Sequence, residues 1–560
     1  MKQSLSMVLI LVVLLAVGAG AYWLFRDVYE PPGAKPVSPI PGMPQGTDGY
    51  PWWNDTVFYE IFVRSFYDSD GDGIGDFNGI TAKLDYLNDG NPETTTDLGI
   101  TGIWLMPIHP SPSYHGYDVT DYLAVNPEYG TMDDFKRMVK EAHQRGIRVI
   151  IDLVLNHTSR EHPWFIAAGD PNSKYRNYYI WVKEKPAYSG PWGQKVWIAH
   201  STGYYYALFW EGMPDLNYTN PAVTQEMYQV VKFWLSETGI DGFRLDAARH
   251  LIEDGPKQEN TPATHEWYKA FRTYYKSINP EAMTVGEIWS DLNAIKGYVQ
   301  GDELDLAFQF NLAEAFVDSA NEGNAGTALG ELRLTYKLLP PLQYATFLTN
   351  HDIDRVMSQL GGDVNKAKVA ASMLLTAPGV PFLYYGEEVG LMGTKPDENI
   401  RRPMQWSADK HAGFSTRFPW RSPGKGWETN NVALQTNDPN SLLSHYRTLI
   451  HIRNAHAALR VGQTWTLRAD HPALYAILRA SREETILVVV NLSGEAVSSY
   501  TLRLDESSVA PGIYRAFPIL GAEDELAPLT FAEDGGFSDY VPLPELPAYG
   551  TLIVQLQPKD

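Results

Sequence analysis

From Trp52 onward, short apolar runs alternate with stretches whose hydrophobic positions recur at helical spacing. The runs are residues 57–62, 102–107, 148–155, 242–245, 283–288, 304–310, 345–349 and 382–385, with amphipathic segments such as 132–144 and 224–236 between several of them. Strands alternating with helices in this way predict an α/β fold, a closed parallel (β/α)8 TIM barrel, over residues 52–157 and 218–460. Residues 158–217 break the rhythm. They are rich in Trp, Tyr, Pro and Gly and predict a small domain inserted after the third barrel strand. A long helix over 441–459 precedes a change of texture, and the runs 474–478, 486–491 and 500–504 predict antiparallel strands. Residues 461–560 therefore read as a C-terminal β-sandwich.

The N-terminal pattern differs. Residues 8–25 are apolar or small throughout, follow Lys2 and end at Arg26 and Asp27, a stretch at the lower edge of what spans a bilayer. The flanking charges predict an N-terminus inside and the rest of the chain outside, while Ala19-Gly-Ala21 offers a signal-peptidase site that would release it. Residues 1–26 are thus expected to be a signal peptide or membrane anchor. Residues 27–51, carrying Pro31, Pro32, Pro36, Pro39, Pro41, Pro44 and Pro51, are expected to be a linker.

Composition narrows the partners. A net charge of −22 over 560 residues argues against nucleic acid. The absence of Cys excludes disulfides, thiolate metal sites and a cysteine nucleophile. The 16 Trp and 33 Tyr suit the flat faces of neutral sugars, although a large barrel also consumes aromatics as core.

The candidate chemistry lies at strand ends. Gly242-Phe-Arg-Leu-Asp246, Gly286-Glu287-Ile-Trp289 and Asn350-His351-Asp352 each deliver one carboxylate at the end of an apolar run. Barrel enzymes collect their chemistry there, and glycoside cleavage needs one carboxylate to attack and another to protonate the leaving oxygen. Arg244, two residues before Asp246, shares its side of the strand and is expected to keep it ionised. Ile288 and Trp289 are expected to wall Glu287 and raise its pKa. A second cluster, Asp68, Asp70, Asp72 and Asp76 with glycines between them, can turn several oxygens onto one hard cation, with calcium expected.

Asp152-Leu-Val-Leu-Asn156-His157, Gly242-Phe-Arg-Leu-Asp-Ala-Ala-Arg-His250, Gly286-Glu-Ile-Trp289 and Phe347-Leu-Thr-Asn-His-Asp352 resemble the four signature regions of the α-amylase family of glycoside hydrolases. Met213-Pro-Asp-Leu-Asn217 is similar to a fifth. The resemblance implies a retaining mechanism with Asp246 as nucleophile, Glu287 as general acid/base and Asp352 as the carboxylate that assists the distorted transition state. It also implies Arg244 beside the nucleophile, His157 and His351 on sugar hydroxyls, and Tyr117 stacked on the sugar. The 68–76 loop resembles the calcium loop of oligo-1,6-glucosidase-like and cell-surface amylases, implying ligands Asp68, Asp70, Asp72, Asp76 and the carbonyl of Ile74.

Tyr114 stands where exo-acting α-glucosidases of the family carry an acid, so the resemblance favours an endo-acting α-1,4-glucan hydrolase. A maltodextrin glucosidase, neopullulanase-like enzyme or glucanotransferase on the same residues is the alternative. Non-catalytic membrane partner subunits of this family lose the acids, which this chain keeps; no protein partner is implied.

Overall fold

The computed structural model describes residues 42–559. The apolar segment 8–25 and the first part of the expected linker lie outside the described residues.

The first strands are Phe58–Ile61 (β1), Gly102–Leu105 (β2) and Arg148–Leu153 (β3). Trp181–Val182 (β4), Trp197–His200 (β5) and Gly203–Tyr206 (β6) form a small sheet of order β4-β6-β5 in the interval where the helix–strand rhythm breaks. Gly242–Leu245 (β7), Met283–Gly286 (β8), Leu306–Phe308 (β9), Tyr344–Thr346 (β10) and Val380–Tyr384 (β11) return to the main sheet.

That sheet closes as β1-β11-β10-β9-β8-β7-β3-β2, a parallel barrel. Its strands are buried almost throughout, which is why they read as continuous apolar runs instead of alternating ones. Phe58, Trp104, Phe308 and Phe382 fill the interior, with Phe58 and Phe382 stacked at 4.5 Å. Gly242 is required where β7 meets β8, because a Cβ there would lie 2.1 Å from the Met283 carbonyl oxygen.

The helices follow their local signals. Met132–Gln144 starts at a capping box between Thr131 and Asp134 and buries the Phe135, Met138, Val139 and Ala142 face against the barrel. Pro221–Phe233 is capped by Asn220 and runs into a π-turn, Trp234–Thr238, so it begins before the expected 224.

Two expectations change. The single helix over 441–459 is two, Leu442–Ala455 and Ala457–Val461. The break is at His456, whose extended backbone is held by Glu484: one carboxylate oxygen binds His456 Nδ1 at 2.8 Å and the other accepts Ala458 N–H. The end of the expected linker is also not free chain. Gly46 N–H and Thr47 Oγ1 both donate to Asp55, Arg148 donates to the Pro44 carbonyl, and Pro44 is buried. Polar side chains of the barrel thus capture backbone that composition alone marks as extended.

Beyond the barrel, a six-stranded and a three-stranded antiparallel sheet enclose a separate core that includes Leu478, Val489, Leu502, Phe531 and Val554. This is the C-terminal β domain.

Candidate active site

β7 ends in Arg244 and Leu245, and its register places Arg244 beside Asp152 of β3. Arg244 is 1% exposed and forms the hub of the site. Its Nη1 donates to both oxygens of Asp152 at 3.0 Å and to Asp246 Oδ1 at 2.7 Å, and its Nη2 donates to Glu287 Oε2 at 2.5 Å. One guanidinium therefore aims acids from three strand ends. After Asp246 the chain turns through Ala247, whose φ is +48°, a left-handed conformation that a non-glycine residue adopts at a cost. The turn directs the Ala247 N–H to Glu287 Oε2 at 3.3 Å.

Asp352, after β10, is held from the other side. Its Oδ1 accepts Arg401 Nη2 at 2.9 Å and its Oδ2 lies 3.0 Å from His351 Nε2. The hydroxyl of Tyr117 bonds His351 Nε2 at 2.7 Å and Asp152 Oδ2 at 3.1 Å, with the Tyr117 and His351 rings nearly parallel. His157 Nε2 donates to the Tyr117 carbonyl at 3.1 Å. Asp246, Glu287, Asp352, Arg244, His351, Tyr117 and His157 thus form one linked cluster at the C-terminal mouth of the barrel.

The electrostatics separate the acids. Burial raises the Asp246 carboxyl, and the charge of Asp352 adds to it, so that the pull of Arg244 offsets the rise only in part. The net direction is therefore the reverse of what Arg244 alone would produce. Glu287 is raised by burial and then by the charges of Asp246 and Asp352, against the pull of Arg244. Burial pushes Asp152 up to about 7 despite Arg244. Asp352 is the exception: burial opposes its charge, but His351 and Arg401 hold its carboxyl well below the usual carboxylate range. Burial lowers His157 to about 4, so it is neutral. Asp352 is strongly ionised, and Glu287, being raised, can retain the proton that acid-assisted bond cleavage requires.

The surroundings of Glu287 differ from the expected apolar wall. Ile288 is buried in the core, while Trp289 is 47% exposed and stacks on Phe310 at 4.5 Å. Trp289 instead lines a cavity of about 370 Å³ together with Trp192, Phe209, Ala247, Arg249, His250 and Glu287. Trp192 and Phe209 come from the inserted domain, so that domain supplies the aromatic side of the cleft. Tyr114 stacks on Trp420 at 5.2 Å, with the guanidinium of Arg401, the residue that holds Asp352, 6.0 Å from the Tyr114 ring. A larger hollow of about 500 Å³, bounded by Asp97, Arg145 and Arg460, contains none of these acids.

Asp152, Arg401 and Glu60, whose Oε1 is 2.5 Å from His351 Nδ1, are site residues not singled out by sequence reasoning. A lone acid inside the apolar run of β1 is a usable signal, since a buried charge needs a partner. Arg401, in an irregular loop, carries no comparable signal.

The acidic loop lies apart from this cluster. Carboxylate oxygens of Asp68, Asp70 and Asp76 come within 4.8 Å of one another. Gly71 and Gly73 take left-handed φ values of +81° and +101°, and a Cβ at Gly73 would meet the Phe418 carbonyl oxygen at 2.5 Å. Asp72 Oδ1 accepts the Ile74 N–H, and partial desolvation together with the charges of Asp70, Asp68 and Asp76 raises its carboxyl. An all-oxygen, like-charged cluster on a tight turn fits a hard cation.

The chain matches the family "Alpha amylase, catalytic domain" over residues 60–462. It is 44% identical over 451 residues to "Alpha-amylase 3" of Dictyoglomus thermophilum, covering 79% of this chain and 86% of that protein. It is 34% identical over 520 residues to an "Oligo-1,6-glucosidase" of Parageobacillus thermoglucosidasius, covering 79% and 90%. The crystal structure of the alpha-amylase from H. orenii superposes with a TM-score of 0.78 at 40% identity, covering 90% of this chain and 99% of that one.

Proposed function

The chain belongs to the α-amylase family of glycoside hydrolases, and from that premise we propose that it hydrolyses α-1,4-glucosidic bonds inside starch or maltodextrin chains. The observation that carries the reading is the Arg244 hub, which aims Asp246 and Glu287 into one cleft beside Asp352.

Asp246 attacks the anomeric carbon while Glu287 gives its proton to the departing glycosidic oxygen, forming a glycosyl ester on Asp246. Water then attacks that carbon, Glu287 takes the proton, and the Asp246 carboxylate is released with the configuration retained. Asp352, kept ionised by His351 and Arg401, stabilises positive charge on the distorted sugar and binds its hydroxyls. Tyr117 and the two histidines line the same sugar.

The aromatic cavity beyond Glu287 supports a substrate that continues past the cleaved bond. The same cavity favours a second reading, transfer to an acceptor sugar, because it offers an acceptor a stacking surface beside the ester.

The chain is proposed to act outside the cytoplasm, tethered or released through residues 1–26, since polymeric glucan does not cross a membrane. Among the described residues no helix is long and apolar enough to cross one. Product analysis on cell fractions tests both points. Soluble starch and maltoheptaose are expected to give mixed internal-cleavage products, with isomaltose and pullulan little changed, from medium or membrane fractions. Single-glucose release alone, or activity confined to the cytosol, would overturn the respective claim.

Calcium is proposed at the 68–76 loop, held by Asp68, Asp70 and Asp76, whose carboxylate oxygens converge, with Asp72 and the Ile74 carbonyl, which lie outside that group, as the further expected ligands; it would neutralise the clustered acids and brace the fold. An ion bound only by the folded state at a hundred times its Kd adds about 2.7 kcal/mol. The melting temperature is therefore expected to fall in chelator and recover in calcium. Asp70→Asn, at an exposed position, is expected to abolish that difference while melting like the chelated protein. Equal melting temperatures for the unmodified chain in both buffers would refute the site.

A further inference from the structure

Glu60 is 1% exposed, on a strand whose neighbours in register are Trp104 and Tyr384. Its Oε1 is 2.5 Å from His351 Nδ1, and His351 is itself fully buried. The other ring nitrogen, Nε2, faces Asp352 Oδ2 at 3.0 Å and the Tyr117 hydroxyl at 2.7 Å. Both ring nitrogens thus face a carboxylate, and a carboxylate only accepts hydrogen bonds. A neutral imidazole has one N–H and would leave one of these contacts as lone pair against lone pair. The doubly protonated ring satisfies both.

We propose that Glu60 is a positioning residue for the reaction: it locks the His351 ring and holds it as a double donor, so that His351 fixes the Asp352 carboxylate that binds the sugar. Burial works against charge on His351, yet Asp352 and Glu60 outweigh it and raise its pKa to about 9. The other charged or titratable groups around the ring are Tyr117, Asp152, Asp246 and Arg244, with Arg401 donating to the His351 carbonyl. Asp152, Asp246 and Arg244 are already grouped with one another, which leaves Glu60, among the described residues, as the acid dedicated to Nδ1. A ring raised by acidic partners keeps its proton through neutral pH and loses it on the alkaline side. Removing the charge of Glu60 should bring that loss toward neutral pH.

The test uses the full-length protein carrying Glu287→Gln, which removes the general acid's own titration, and measures maltoheptaose affinity by calorimetry across neutral and alkaline pH. Affinity is expected to fall at alkaline pH as His351 deprotonates. Adding the isosteric Glu60→Gln is expected to move the midpoint about 1–3 pH units toward neutral, whereas Glu60→Asp in its place, which keeps the charge, should reverse part of that shift. A purely structural role would weaken binding equally at every pH, so an unchanged midpoint overturns the proposal. This arm rests on the carbohydrate reading above. Proton NMR does not: a far-downfield imidazolium N–H signal is expected in the unmodified protein and should be lost in Glu60→Gln and in His351→Gln. If maltoheptaose binds neither variant, the substrate reading fails and this signal alone decides. Its absence from the unmodified protein, or its survival in Glu60→Gln, overturns the proposal.

Discussion

Asp246→Asn is expected to reduce turnover by about 10⁴-fold or more while leaving the fold intact. The amide keeps an oxygen for Arg244 Nη1, now 2.7 Å from Asp246 Oδ1, but cannot form the glycosyl ester. The expected effect on stability runs the other way from activity. The Asp246 carboxyl is raised in the folded protein, first by burial, so ionising it at neutral pH costs the folded state free energy relative to the unfolded chain. An uncharged side chain removes that cost, and the melting temperature at neutral pH should be unchanged or higher. The measurement is turnover on maltoheptaose alongside calorimetric melting. Substantial residual turnover would dismiss Asp246 as nucleophile, and a large drop in melting temperature would show that its charge supports the fold instead.

Arg244→Ala should be the most damaging single change to the site. It strips a buried cation from Asp152, Asp246 and Glu287 together, and breaking a buried ion pair by removing one partner costs about 3–5 kcal/mol. Those carboxyls are already raised with Arg244 present, and without it they should rise further. A raised carboxyl destabilises the folded state increasingly as pH climbs above its unfolded value. The deficit of the variant should therefore be largest at neutral pH and shrink as pH falls and the acids bind protons. Denaturant unfolding at acidic and neutral pH reads this directly. A deficit equal at both would mean that the loss is one of packing, with no electrostatic share. Turnover should fall with stability, because Asp246 and Glu287 lose the group that aims them both.

The barrel was legible because its strands are buried almost throughout and read as apolar runs, three of which are followed within a few residues by an acid. Asp246, Glu287 and Asp352 were legible for the same reason: an acid at the end of such a run must have a purpose. Other features were not, because they depend on residues distant in the chain. The break at His456 is made by Glu484, and the docking of residues 42–51 by Asp55 and Arg148. None of these three partners can be inferred from local periodicity.

The sequence by itself determined the succession of elements, the three acids and the acidic loop, since periodicity and side-chain chemistry are local properties. Tertiary structure decided how those groups behave. Barrel closure brings Glu60 of β1 to His351 after β10, and the β3–β7 register brings Asp152 to Arg244. Burial then raises Asp246 against the pull of its own neighbour, while Arg401 and His351 keep Asp352 charged. A pKa depends on desolvation and on charges a few ångströms away, and both exist only once the chain has closed on itself.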